Sequence, residues 1–101
     1  MSAPLLTVIV PAYNSEDYLD RALTTLVGYG DELEAIIVND GSKDRTAEIA
    51  DEWAARYPSV RVIHQENKGH GGAVNAGLAA ATGTHVRVVD SDDWLDRRAT
   101  N

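Results

Sequence analysis

Short apolar runs rich in β-branched residues alternate along this chain with stretches of helical period, and that alternation constrains the fold more than any other feature. Leu6 to Val10, closed by Pro11, reads as a strand buried on both faces. Asn14 or Ser15 can cap a helix whose Leu19, Ala22, Leu23 and Leu26 recur at helical spacing, and Gly28 and Gly30 end it. Ala35 to Val38 predicts a second strand that runs into the turn residues Asn39-Asp40-Gly41-Ser42. A helix from about Asp44 to Tyr57 carries Ile49, Ala50, Trp53, Ala54 and Tyr57 on one side, with Trp53 and Tyr57 assigned to the core, and Pro58 stops it. Val60 to His64 is a third strand, and a loop from Gln65 to Gly69 leads into a small-residue helix, Gly71 to Ala81, stopped by Gly83. His85 to Val89 is the fourth strand and ends in Asp90-Ser91-Asp92-Asp93. The order β-α-β-α-β-α-β implies an α/β fold: a parallel sheet, helices on its faces, right-handed connections.

A chain of 101 residues supports one domain and one core, but not a catalytic and an acceptor domain together. The absence of cysteine excludes a disulfide scaffold, a thiolate zinc site and a cysteine nucleophile. A net charge of −7, from 16 acidic residues against 9 lysines and arginines, argues against a nucleic-acid partner, which needs a basic face. An acidic protein can still hold a phosphorylated small molecule when a metal cation lies between the two. No apolar run approaches the roughly 20 residues of a membrane span, and the N-terminus lacks a basic signal-peptide head. The chain is read as soluble and cytoplasmic, a setting that also suits a parent protein at the cytoplasmic face of a membrane.

In an open parallel sheet, ligands collect at the carboxyl ends of the strands, near the point where strand order reverses. The residues just past the four strands are Tyr13 and Asn14; Asp40, Gly41 and Ser42; Glu66 and Asn67; and Asp90, Asp92 and Asp93. Asp40 and Ser42 are equally readable as turn and cap residues. The cluster after the fourth strand places three carboxylates within four residues, which repel one another unless a cation joins them. A hard divalent ion, Mg²⁺ or Mn²⁺, prefers such oxygen ligands and often shares them with substrate phosphates. An EF-hand loop here would need Gly and Glu where Leu95 and Asn101 stand. Gly69-His70-Gly71-Gly72-Ala73-Val74 half-resembles a dinucleotide fingerprint, but Val74 takes the third glycine position and the segment follows the third strand. An aspartyl-phosphate phosphatase places its acidic motif after the first strand, whereas this one follows the fourth. The glycines at 69, 71 and 72 fit close helix–sheet packing, or a helix N-terminus that holds a diphosphate. Of the three histidines, His64 and His85 read as ordinary strand residues, and only His70 lies beside the glycines.

Taken in order and spacing, Thr7-Val8-Ile9-Val10-Pro11-Ala12-Tyr13-Asn14 with Glu16 and Tyr18-Leu19 resembles the opening of the family 2 glycosyltransferases. Glu34-Ala35-Ile36-Ile37-Val38-Asn39-Asp40-Gly41-Ser42-Lys43-Asp44-Arg45-Thr46, Asn67-Lys68-Gly69, Asn75-Ala76-Gly77 and Val89-Asp90-Ser91-Asp92-Asp93-Trp94-Leu95 continue the resemblance over nearly the whole chain. It implies the N-terminal half of a GT-A fold, three layers α/β/α with strand order 3-2-1-4, spanning residues 1–101 as a nucleotide-sugar-binding domain. The resemblance further implies that Pro11, Ala12, Tyr13 and Glu16 line a nucleotide pocket and that Asp40 accepts a hydrogen bond from the base. Lys68 and the neighbouring glycines, Gly71 among them, then lie near the nucleotide. Asp90 and Asp92 match the family's Asp-x-Asp with Asp93 adjacent, a set that binds the metal, with Asp92 or Asp93 also touching the donor. The implied reaction is metal-assisted, inverting transfer from a nucleotide sugar, UDP-linked by expectation, to an acceptor hydroxyl. The catalytic base belongs to a second half of the family's fold, after Leu95, so the chain is expected to be inactive alone. Two other readings stand beside this one: a nucleotide-binding module without transferase activity, and a nucleotidyltransferase. The second generally opens with a Gly-rich, basic loop, which Val10-Pro11-Ala12-Tyr13-Asn14 lacks. The apolar fourth strand, with Arg87 alone to discourage pairing, predicts self-association as a two-fold dimer.

Overall fold

The computed structural model describes residues 4–89. Its strands are β1 (Leu6–Ala12), β2 (Leu33–Asp40), β3 (Val60–Gln65) and β4 (His85–Val88). The helices are α1 (Leu19–Val27), α2 (Thr46–Arg56) and α3 (Gly69–Ala80), with a single 3₁₀ turn, Gly30–Glu32, before β2. All pairings are parallel and the sheet order is β3-β2-β1-β4, as the resemblance implied. Asp90 and the residues after it lie outside the described residues. Among the described residues no helix is long and apolar enough to cross a membrane.

The strands have period two, and that period divides the core between two layers. Val8, Val10 and Ala12 of β1 and Leu33, Ala35 and Ile37 of β2 face α1 and α2, where Leu19, Ala22, Leu23, Leu26, Ile49 and Ala50 meet them. Ile9, Ile36 and Val38 face the other way, onto Ala73 with Ala76 and Ala80 of α3. Both central strands are therefore apolar on successive residues, and all eight residues of β2 are buried. Burying side chains such as Ile9, Leu19, Leu23, Ile36 and Ile37 stabilises the fold by about 1.5–3 kcal/mol each before chain entropy is counted. α1 and α2 lie on one face while the chain moves outward from β1 to β3. α3 then recrosses the opposite face to place β4 beside β1. The strand order reverses at β1, between β2 and β4, so any ligand crevice belongs at the carboxyl end of β1.

Several boundaries differ from the sequence reading, each for a local reason. β1 continues through Pro11, which pairs with Val38. The Ile9 carbonyl accepts from Val89 on the β4 side, so alternation turns the Pro11 nitrogen to that side too, beyond the Ile9–Val88 end of the β1–β4 register. The missing N–H therefore leaves the β1–β2 ladder intact. α1 begins at Leu19, with no side-chain cap from Asn14 or Ser15; the Ser15 carbonyl instead receives the Tyr18 and Leu19 amides. α2 begins at Thr46 rather than Asp44, and Asp44 rather than Ser42 serves its N-terminus, accepting the Thr46 N–H at 2.9 Å. α3 begins two residues early, at Gly69, and ends at Ala80, before Gly83. Gly83 is no helix stop: a Cβ there would lie 2.7 Å from the Thr7 nitrogen and 2.9 Å from the Leu6 carbonyl carbon, so its role is close approach to β1. Trp53 and Tyr57 sit at the rim of the core, stacked with ring centroids 5.3 Å apart, with the Trp53 indole N–H donating to Asp20 at 2.7 Å.

Candidate functional site

The parallel register brings the ends of β1, β2 and β3 to one edge, and hydrogen bonds between their loops set the edge's shape. Asp40 is its centre. The side chain is 5% exposed and accepts the Gln65 side-chain N–H at 2.9 Å, the Lys68 amide at 2.8 Å and the Gly69 amide at 3.0 Å. Burial pushes this carboxyl up, and the hydrogen bonds from Gln65, Lys68 and Gly69 together with the Lys68 charge outweigh it, holding it below the ordinary aspartate value. Lys68 is the N-cap residue of α3, which has no side-chain cap of its own and no acidic residue in its first turn. Asp40 therefore caps α3 from a neighbouring strand and satisfies amides that the helix leaves open. A diphosphate at this N-terminus would meet a carboxylate already in place. Of the glycines at 69, 71 and 72, a Cβ on Gly69 or Gly71 would meet nothing among the described residues, and one on Gly72 would strike the Lys68 side chain. None of the three therefore packs on the sheet; Gly77, further along α3, rests directly on the Ile9 side chain.

Gly41 makes the Asp40 clamp possible. Its φ is +75°, and a Cβ on it would lie 2.7 Å from the Asn67 nitrogen, so the β2–α2 turn lies directly on the β3–α3 loop. On the other side the same turn meets the β1–α1 loop. The Ser42 hydroxyl accepts the Asn14 amide at 2.9 Å, and the Asn14 side-chain oxygen accepts the Lys43 amide at 2.8 Å. These bonds hold Asn14 at a φ of 49°, a left-handed conformation that asparagine tolerates better than most residues. Deeper in, the Ser15 amide donates to Thr46 Oγ1 at 2.7 Å, while Asp44 accepts the Thr46 hydroxyl at 2.5 Å and the Glu16 amide at 3.2 Å. Burial raises the Asp44 carboxyl as well, and the bonds from Thr46 and Glu16 bring it below its ordinary value.

Of the residues singled out from sequence, Pro11 and Ala12 lie buried at the end of β1 and offer the edge little beyond backbone. Tyr13 is 49% exposed and projects from it. Glu16 turns toward α2 and accepts the Arg45 amide at 3.3 Å. Lys68 and Gly71 are exposed, and a Cβ on Gly71 would meet nothing among the described residues. Tyr13, Asp40 and Lys68 thus share one edge, whereas the candidate metal ligands Asp90, Asp92 and Asp93 lie outside the described residues. Among the described residues no group of three or more histidine, aspartate or glutamate side chains is arranged to hold a metal ion.

Sequence reasoning passed over Gln65, Asp44 and the set Asn39, His64 and Asp51. His64 Nδ1 lies 3.0 Å from the Asn39 side-chain nitrogen, and its Nε2 lies 2.8 Å from Asp51. Asp44 alone had a local signal, an aspartate just ahead of an apolar helical run. Glu34 was also passed over, and it serves the opposite end of the sheet. It is buried, accepts the Thr7 and Thr82 hydroxyls at 2.8 and 3.0 Å, and pairs with Arg61 at 3.0 Å. That network joins β1, β2, β3 and the end of α3, away from the carboxyl edge.

The sequence model of glycosyl transferase family 2 matches residues 7–99. The uncharacterized glycosyltransferase EpsJ of Bacillus subtilis is 43% identical over 93 residues, which are 91% of this chain and 27% of that protein. The chain thus spans about a quarter of the length of the relatives it matches first. Among solved structures, the mannosyltransferase PcManGT from Pyrobaculum calidifontis, in complex with GDP-Man and Mn²⁺, superposes with a TM-score of 0.79 at 30% identity, over 91% of this chain and 28% of that one. Staphylococcus aureus TarS 1-349 in complex with UDP gives 0.77 at 32% identity, over 93% of this chain and 31% of that one.

Proposed function

Because the chain belongs to glycosyl transferase family 2, with the four-stranded sheet of a GT-A fold, we propose that it is the donor-binding part of a glycosyltransferase. Its carboxyl edge binds a nucleotide sugar, UDP-linked in our reading. Pro11, Ala12, Tyr13 and Glu16 line the β1 side of the pocket, Asp40 receives the base, and Lys68 and Gly71 flank the nucleotide. Among the described residues Asp40 Oδ2 accepts one hydrogen bond, from Gly69, which leaves it capacity for a donor from the base. Asp90, Asp92 and Asp93 supply hard oxygen donors suited to Mg²⁺ or Mn²⁺, and such an ion would neutralise the leaving diphosphate. The whole protein would transfer the sugar to an acceptor hydroxyl with inversion, using a base outside this chain. The observation that carries the reading is the meeting of Tyr13, Asp40 and Lys68 at the switch-point edge of a sheet shared with proteins solved with GDP-Man and with UDP.

Calorimetric titration of the chain with UDP tests it. Binding is expected with Mn²⁺ present, lost on chelation of the metal, and lost when Asp92 and Asp93 are both changed to Asn, which keeps shape and removes charge. UDP bound equally by parent and double variant would overturn the metal assignment, and no UDP binding by the parent would overturn the reading.

A further inference from the structure

His64 lies on β3, apart from the residues assigned to the pocket, yet it ends a hydrogen-bonded chain that reaches the pocket's mouth. Asn39, 6% exposed, receives the Ser42 amide on Oδ1 at 3.1 Å. Its oxygen being committed, the Asn39 NH₂ faces His64 Nδ1 at 3.0 Å, so that ring nitrogen accepts. The ring's proton is therefore on Nε2, where Asp51 of α2 accepts it at 2.8 Å. From Ser42 the chain continues through its hydroxyl, which accepts the Asn14 amide at 2.9 Å beside the exposed Tyr13. Each link determines the next. An amide flip at Asn39 would set its NH₂ against the Ser42 N–H, donor against donor, and lose the bond that fixes its orientation.

We propose that His64 is a positioning residue for the nucleotide pocket: Nδ1, held as an acceptor by the Asp51 contact at Nε2, orients Asn39, and Asn39 orients the Ser42–Asn14 junction that carries Tyr13. The proposal rests on the nucleotide reading of this edge. It assigns His64 no contact with the ligand, and Asp51 acts only through His64.

Nitrogen-15 NMR of the free chain, followed by UDP titration with Mg²⁺, tests this in His64→Asn, His64→Gln and His64→Leu. Asparagine keeps an acceptor near the Nδ1 position, glutamine reaches toward Asp51 without one, and leucine keeps neither. The wild-type ring is expected as the neutral tautomer protonated on Nε2. His64→Leu and His64→Gln should shift the Ser42 and Asn14 amides and weaken UDP binding by about fivefold, the worth of one net hydrogen bond. His64→Asn should restore both. A ring protonated on Nδ1, or an Asn variant no better than the Gln variant, would overturn the proposal, and neither result depends on whether the Leu variant folds. A wild-type chain that binds no UDP contradicts the nucleotide reading and with it the pocket role. The tautomer and the Ser42 and Asn14 amides are read without ligand, so they test the relay separately.

Discussion

Three buried or half-buried carboxylates, Glu34, Asp40 and Asp44, hold loops and strands together, and all three are pulled below their ordinary values. At each, burial raises the carboxyl and donated hydrogen bonds more than reverse it; at Glu34 the donors are Thr7, Arg61 and Thr82. Each group stays ionised in the folded chain at a pH where the unfolded chain has begun to take up protons. Their contribution to stability is therefore complete above the unfolded values, near 3.9 for Asp and 4.3 for Glu, and is lost as pH falls through the folded values. Urea unfolding should show stability climbing with pH through the acid range and levelling above about pH 5. Asp40→Asn should flatten part of that climb, because its side chain no longer titrates. Asp40→Ala should cost about 1–3 kcal/mol at neutral pH by leaving the Lys68 and Gly69 amides unserved. An unchanged pH slope in Asp40→Asn would show that its carboxylate is not held as described.

At the scale of elements, α3 is fitted to the sheet by its lack of side chains. Gly77 accommodates Ile9, and Gly83 lets the chain after α3 pass against Thr7 and Leu6, whereas a Cβ on Gly71 would touch none of the described residues. Gly83→Ala should destabilise by roughly 1–3 kcal/mol, since backbone atoms of β1 cannot move aside cheaply. Gly71→Ala should instead stabilise by roughly 0.5–1 kcal/mol by reducing the freedom of the unfolded chain. If Gly71 flanks the nucleotide as proposed, the same alanine should weaken UDP binding while raising thermal stability; thermal melts and calorimetry on one preparation separate the two effects. The strands were legible in the sequence because β1 and β2 are buried on both faces and so read as unbroken apolar runs. The start of α3 was not, because the group that serves it comes from a distant strand, whereas α1 and α2 are served locally by the Ser15 carbonyl and by Asp44. The Lys68 amide at the start of α3 is served by Asp40, 28 residues earlier, and Asn14 is met by Ser42 across the same separation. Polar residues past each strand signalled the edge itself. They could not signal that Asp40 faces into the β3–α3 loop, that Glu16 turns to α2, or that His64 bonds Asn39.

At the scale of the whole molecule, the two sides of the sheet's β1–β4 end differ. β4 pairs with β1 on one side, and among the described residues no strand pairs with its other side. Val86 and Val88 are 39% and 42% exposed there, next to a shallow groove lined by Leu5, Leu6, His85, Val86 and Arg87. Such an edge is a template for strand addition. We expect the 101-residue chain to form a two-fold dimer through it, limited to small assemblies by its net charge of −7. Light scattering on a sizing column at micromolar concentration should show a mass near twice 10.9 kDa, and a monomer would contradict it. The carboxyl edge lies at the end of β1 and carries the functional claim. Its most direct test is amide NMR of the labelled chain titrated with UDP and Mg²⁺. The account predicts that Tyr13, Asp40, Gly41, Lys68 and Gly69 shift together while Glu34, Thr82 and Gly83, at the amino end, stay in place; shifts confined to the amino end, or none at millimolar UDP, would contradict it.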